Sequence, residues 1–350
     1  MNETLIERRP YSIPNLGNTC FINSCIQILC HCELFHDILS NNQNKNTVDC
    51  NCIEYVLWKN WIEISGKTYN TKEQQYLHPK GLLFAIEEIS TEKKSIFSGE
   101  NIEQHDFFEF TLFIIDNLHT CIKKTRPIQI NGTPQHDIDK LAITCYKYLY
   151  TIYEQEFSEI HELFHGIMVS TISPIHNETI IHSSTPEIFF SLDVPVLANH
   201  CSLHDCLRVY FQEETLEGEN AWYNEKSCKK EDIQKKSSIF RFPKILWIVL
   251  KRFSYDGVSK NHSKVEFPTT LDMYDFACGY HRTKQKYDLY AICNHYGNLH
   301  YGHYNCVIKM KSGSWFSCDD DRIQKVSKEN IFPSLYSHVY CLVYVKKDVK

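Results

Sequence analysis

Cys20 directly follows Gly17-Asn18-Thr19 and opens the apolar run FINSCIQILC, in which Phe21, Ile22, Cys25, Ile26 and Leu29 fall at helical spacing. A cysteine at a helix N-terminus feels the positive end of the backbone dipole and nearby unpaired N–H groups, which favours thiolate over thiol. Such a nucleophile needs a histidine, and the histidine needs an Asn or Asp on its other ring nitrogen. With 18 histidines in the chain, context must choose. His303 stands in LHYGHYNCVIKM, where Gly302 permits a bend at the mouth of a strand and Tyr304 to Ile308 alternate as a strand does. After the turn KSGS and the short strand SWFSC come Asp319, Asp320 and Asp321. Two neighbouring antiparallel strands with that spacing can set a carboxylate beside the imidazole. Singly, each piece has a structural reading as a buried apolar thiol, a satisfied histidine or a solvated turn. It is the combination that points to a thiol nucleophile.

The elements that must position these groups change in texture along the chain. The first third carries helical periodicity, in FINSCIQILC and again in EQHDFFEFTLFIIDNLHTCI, where Phe107, Phe110, Ile114, Ile115 and Leu118 repeat at three and four with Asp106 and Glu109 on the other side. SNNQNKNTVDCNC, residues 40 to 52, reads as solvated loop. From about residue 160 short β-rich runs take over: IFFSLDVPV, SIFRFPKILWIVLKRF, KYDLYAICNHY, HYNCVIKM, SWFSC and SHVYCLVYV. NEKSCKKEDIQKK reads as an exposed hairpin or loop. Helices first and strands later predict an α+β chain. A length of 350 residues with 43% hydrophobic and 13% aromatic content excludes disorder. The net charge of −6 removes the electrostatic basis for a nucleic-acid or anionic-membrane role. No run is long enough for a membrane helix, and the opening MNETLIERRPYSIP lacks the apolar core of a secretory signal. An intracellular protein, cytoplasmic or nuclear, with its 16 cysteines reduced is therefore expected.

PNLGNTCFINSCIQIL, residues 14 to 29, resembles the cysteine box of the ubiquitin-specific proteases, and residues 287 to 323 resemble their histidine box. QHDFFEF (104 to 110), LWIVLKRF (246 to 253) and VYCLVYV (339 to 345) match three further family motifs in the same order. The resemblance implies a papain-like α+β cysteine protease fold with thumb, fingers and palm. Its boundaries are expected as an N-terminal lead over 1–10, a helical thumb over 11–160, β-rich fingers with part of the palm over 161–240, and the palm over 241–347. Carried over residue by residue, it implies Cys20 as nucleophile, His303 as general base and then acid, and Asp319 as the group orienting it. Asn15 matches the oxyanion-hole side chain, with Asp320 assisting or substituting for Asp319. The implied substrate is the Gly-Gly carboxyl end of ubiquitin on a lysine of a ubiquitinated protein. Asp106 and Glu109 match positions that hold this tail and suit its arginines, and Phe253, His295 and Tyr304 match wall or contact positions of its channel.

The chain departs from many relatives where two Cys-x-x-Cys pairs would bind a structural zinc. PIHNE stands at the first place with no cysteine, and at the second Cys228 stands alone with Glu225 in its partner's position. No structural zinc and no cofactor are expected. Cys30-His31-Cys32 and Cys50-Asn51-Cys52 are spaced poorly for a tetrahedral site and read as structural thiols. Two alternatives share the motifs: a protease for another ubiquitin-like modifier or for ordinary peptides, and a non-catalytic ubiquitin-binding module.

Overall fold

The structure is a computed structural model that describes residues 9–68, 76–97, 103–175, 177, 180–254, 259–298 and 301–347. Most of the expected lead, His176 and Glu178 of PIHNE, and Leu299 and His300 of the histidine box lie outside the described residues.

The first part of the chain is helical: α1 (Cys20–Cys30), α2 (Glu33–Asn44), α3 (Tyr55–Thr68), α4 (Lys80–Lys93), α5 (Phe107–Thr120), α6 (Asp137–Tyr153) and α7 (Glu159–Phe164). All eleven residues of α1 are buried, as suits a helix enclosed on every side rather than one with a wet face. Its polar residues are met inside: Gln27 Nε2 donates to the Tyr11 carbonyl at 2.5 Å, and Asn23 Nδ2 donates to Asp320 Oδ1 at 2.8 Å. The segment read as loop over 40–52 is helical up to Asn44, because α2 continues under Phe35 and Leu39 before its polar end frays into turns. The second periodic helix begins later than its pattern suggested. Asp106 is its N-cap, accepting from the backbone N–H groups of Phe108 and Glu109 at 2.7 and 3.0 Å, and so lies before α5 rather than on its outer face.

The remainder runs β1 (Gly166–Pro174), β2 (Ser183–Phe189), β3 (Ser191–Pro195), β4 (His200–Ser202), α8 (Leu203–Tyr210), β5 (Glu214–Leu216), β6 (Trp222–Asn224), β7 (Lys229–Glu231) and β8 (Ile233–Arg241). It closes with β9 (Ile245–Lys251), β10 (Lys264–Glu266), β11 (Thr270–Asp272), β12 (Lys286–Gly297), β13 (Gly302–Lys309), β14 (Trp315–Asp319), β15 (Arg322–Val326), α9 (Lys328–Leu335) and β16 (Val339–Lys346). One sheet has the order β2-β1-β8-β5, with the hairpin β6/β7 beside it in sequence. The larger sheet has the order β15-β14-β13-β12-β16-β9-β3, antiparallel except for the parallel pair β3/β9. Cys228 is exposed at the β6/β7 turn, where among the described residues its sulfur reaches the Glu225 carbonyl. All sixteen cysteines are free thiols.

The large sheet divides two cores. In β9, Ile245, Trp247 and Val249 face the helical layer, whereas Leu246, Ile248 and Leu250 face the core under α8 and α9. That two-sided burial is why ILWIVLK reads as a continuous apolar run. β12 swaps faces partway: Tyr287 and Leu289 join the second core, and Ala291 and Cys293 the first, across a register shift between Leu289 and Ala291. A bulge of one residue changes the parity of every side chain after it. Cys318, Cys306, Cys293 and Cys341 pair directly across β14, β13, β12 and β16 and form a row of thiols in the first core.

Arg252, just past β9, is 1% exposed, and its guanidinium donates to the carbonyls of Val339, Asn261, Ser263 and Tyr336 at 2.5 to 2.9 Å. It ties the end of β9 to the entry of β16. Arg252→Met removes every donor while keeping much of the volume, and is expected to cost about 3 kcal/mol or more by stranding buried carbonyls. Urea denaturation should show a lower midpoint at unchanged slope; an unmoved midpoint would mean that water satisfies those carbonyls instead.

Candidate active site

The turn before α1 is built by Asn15. Its Oδ1 accepts from the N–H of Gly17 at 3.1 Å, the N–H of Thr19 at 3.2 Å and the Thr19 hydroxyl at 3.3 Å. Gly17 and Asn18 both take positive φ, 92° and 57°, which bends the chain tightly enough to leave Cys20 at the first turn of the helix. Cys20 is 3% exposed. Its Sγ accepts from the Tyr304 backbone N–H at 3.4 Å, so the start of β13 lies directly on the sulfur.

His303, half-buried beside it, turns Nε2 to Asp319 Oδ1 at 2.5 Å, which leaves Nδ1 as the ring nitrogen available to Cys20. The carboxylate arrives by the strand pairing expected from the sequence, with β13 and β14 antiparallel and Cys306 opposite Cys318. The sulfur of Cys20, first, and Asp319 hold the His303 pKa up to about 9 against partial burial. The ring is therefore an imidazolium at neutral pH, and its proton is lost only as the pH rises through that value.

Asp320 points elsewhere than Asp319. At φ 54° it turns its carboxylate to the cysteine side, accepting from Asn15 Nδ2 at 2.9 Å and from Asn23 Nδ2 at 2.8 Å. Its main chain joins the same seam: the Asp320 carbonyl accepts from the Ile13 N–H at 3.2 Å, and the Asp321 carbonyl from the Ser12 hydroxyl at 2.8 Å. Of two adjacent aspartates, one meets the imidazole and the other fixes the amide of Asn15.

Of the remaining expected residues, Asp106, Tyr304, His295 and Phe253 form a chain of contacts next to this pair. Asp106 Oδ2 accepts from the hydroxyls of Tyr304 and Tyr340 at 3.3 and 2.5 Å, while Oδ1 caps α5, so its carboxylate is already engaged. Glu109 is exposed on the first turn of α5. Tyr304 is buried, with its ring 4.7 Å from that of His295, and Phe253 meets His295 edge-on at 5.3 Å. His295 is buried, which, with Lys260 beside it, pushes its pKa down to about 4. Lys260 Nζ donates to His295 Nδ1 at 2.8 Å, so the neutral ring keeps its proton on Nε2. Gly302 serves close approach rather than the expected bend: a Cβ there would lie 2.1 Å from His295 Nε2.

A family model described as Ubiquitin carboxyl-terminal hydrolase matches residues 12–344. The chain belongs to the ubiquitin carboxyl-terminal hydrolase family. It is 28% identical over 347 residues to human Ubiquitin carboxyl-terminal hydrolase 21, a match covering 91% of this chain and 59% of that protein. It is 30% identical over 352 residues to Drosophila melanogaster Ubiquitin carboxyl-terminal hydrolase Usp2, covering 94% of this chain and 34% of that protein. The chain thus spans less than two thirds of each of these relatives. Among solved structures, the SAGA Ubp8/Sgf11/Sus1/Sgf73 DUB module bound to ubiquitin aldehyde matches with a TM-score of 0.74 at 22% identity, covering 100% of this chain and 72% of that one. The α+β body therefore has the papain-like fold of this hydrolase family.

Sequence reading of this family member missed Asn23, Asn18, Lys260 and Gln104 as parts of the site. Gln104 and Asn18 stood inside quoted motifs without a role. Lys260 carries no local signal, because its partner is 35 residues away. Neither Cys30-His31-Cys32 nor Cys50-Asn51-Cys52 forms a three-donor metal cluster among the described residues. Cys32 is pushed up to about 12 by burial, and Cys52 lies 3.7 Å from Cys121.

The ring protons of His303 should titrate near 9 by NMR. Because Cys20 is the larger cause of that elevation, Cys20→Ser is expected to lower the midpoint more than Asp319→Asn does. The reverse order would mean that the carboxylate governs the ring.

Proposed function

We propose that this chain is a thiol-dependent deubiquitinase, hydrolysing the isopeptide or peptide bond after the C-terminal Gly of ubiquitin on ubiquitinated proteins. The convergence of Cys20, His303 and Asp319 from opposite ends of the chain carries the reading. Membership of the hydrolase family supports it, as does the likeness to a DUB module bound to ubiquitin aldehyde.

Cys20 Sγ attacks the glycine carbonyl and forms a tetrahedral oxyanion. Asn15 supplies the donor for that oxygen: one Nδ2 hydrogen is committed to Asp320, which orients the amide, and the other is available to the developing charge. His303 gives its proton to the departing lysine amine, leaving a thioester. The neutral ring then takes a proton from water, whose oxygen attacks the thioester; Cys20 leaves as thiolate and the ubiquitin carboxylate is released. Asp319 keeps the ring turned so that Nδ1 serves both steps. A tail of two glycines suits a channel walled by Tyr304, Phe253 and His295, because larger side chains would not pass. Glu109 and Asp106 supply negative charge towards the arginines of the tail. No metal or organic cofactor enters these steps.

On this reading residues 11–160 act as the thumb, 161–240 as the fingers with part of the palm, and 241–347 as the palm. The sixteen free thiols favour a reducing, intracellular setting. Among the described residues no helix is long and apolar enough to cross a membrane.

Ubiquitin carrying an electrophilic C-terminus should form a covalent adduct at Cys20 that Cys20→Ala abolishes. Ubiquitin binding without an adduct would make the chain a binding module. Asn15→Ala is expected to lower kcat on a ubiquitin-derived fluorogenic substrate by about 10²–10³ with little change in KM. An unchanged kcat would remove Asn15 from the oxyanion site.

A further inference from the structure

Gln104 lies in the lead into α5, is exposed, and has no part in the steps above. Its amide is nonetheless spent on the two segments that deliver the reacting groups. Oε1 accepts from the Gly302 backbone N–H at 3.0 Å, and Nε2 donates to the Gly302 carbonyl at 3.0 Å. Nε2 also reaches Asn18 Oδ1 at 3.4 Å. The paired bonds to one residue's N–H and carbonyl imitate what a neighbouring strand would offer, here supplied by a side chain at the first residue of β13.

Gly302 immediately precedes His303, and Asn18 stands two residues before Cys20. One amide therefore spans the cleft between the strand start that carries the base and the turn that carries the nucleophile. On its other side Gly302 rests against His295, which Lys260 holds through the ring and through the carbonyls of His295 and Gly297 at 2.6 and 3.2 Å. That inner side is fixed by burial. The outer side faces solvent, and there Gln104 supplies the paired hydrogen bonds. Misplacing a reacting group by about 1 Å can cost about 10²-fold in rate, so a grip of this kind matters for the reaction more than for folding.

We propose that Gln104 is a positioning residue that sets the approach of His303 to Cys20 through the Gly302 backbone and Asn18. The inference rests on reading Cys20 and His303 as the reacting pair, and on no particular substrate.

Alkylation of Cys20 by iodoacetate, followed by peptide mass spectrometry from about pH 5 to pH 10, reads the pair directly, since the reagent's carboxylate is drawn to the imidazolium and the rate falls as the ring loses its proton. The alkaline limb of the parent chain is expected at about 9. In Gln104→Ala the limb should move down by about one unit or more, a loss of about threefold in rate near pH 8.5. The melting temperature should stay within about 2 °C, because the bonds lost are at the surface. Gln104→Met keeps the length and the neutral charge but loses the acceptor and both donors, and should shift the limb in the same direction; it decides the matter if the alanine variant does not fold. Limbs that coincide with the parent overturn the proposal, as does a rate loss at every pH with an unmoved limb. Hydrolysis of the fluorogenic ubiquitin substrate is measured alongside. A chain that cleaves nothing, yet shifts its limb on Gln104 replacement, refutes the deubiquitinase reading and supports the positioning role. A parent that cleaves, with variants whose limbs do not move, refutes the positioning role alone.

Discussion

The structure depends on a seam between residues 12–23 and the turn at 319–321. Across it run two main-chain carbonyl contacts, from Ile13 and Ser12, and two side-chain amides, Asn15 and Asn23, that share the carboxylate of Asp320. Nothing covalent links these segments except nearly the whole polypeptide. An Asp at left-handed φ is uncommon, and here the conformation aims neighbouring carboxylates in different directions, one to each half of the site. The closure entropy of so long a loop grows only slowly with length, so a few well-aligned bonds backed by burial of α1 suffice to hold it.

The large sheet makes that seam rigid. Because β9 buries both its faces and β12 changes face at its bulge, the strands serve one core beneath the helices and another beneath α8 and α9. His303 thus projects from a sheet supported on both sides, while Cys20 projects from a helix enclosed on all sides. Neither this thiol nor this imidazole sits on a free loop. Arg252 adds to this by filling with a buried cation the gap where β9 ends and β16 begins.

Much of this was legible from residue order. The N-terminal placement of Cys20, the start of β13 at Gly302 and the β13/β14 pairing that brings Asp319 to His303 all follow from short-range signals: turn residues, alternation and a hairpin-length spacing. The division of labour between Asp319 and Asp320 was not legible, since it depends on one backbone dihedral at Asp320. Asp106 was placed on a helix face because the apolar period extends past it, and only the capping bonds reveal where α5 begins. Gly302 reads in the sequence as permitting a bend, whereas its reason is the ring of His295 from the adjoining strand. Lys260, Asn23 and Gln104 escaped for a common reason: each acts on a partner distant in sequence, and a polar residue in a loop or helix carries no mark of what it will meet.

Of the thiols paired across β14, β13, β12 and β16, those on the strands against α1 bear on how close the helix can ride to the sheet. Cys25 of the helix lies within electrostatic reach of Cys306, and Cys293 within reach of Cys20 itself. Narrow side chains there act as a thin gasket between two rigid plates. A bulkier residue at Cys306, which lies by Cys25 of the helix, would shim the plates apart, and because the Cys20 sulfur rides on one plate and the His303 ring on the other, the gasket's thickness there bears on the gap between them.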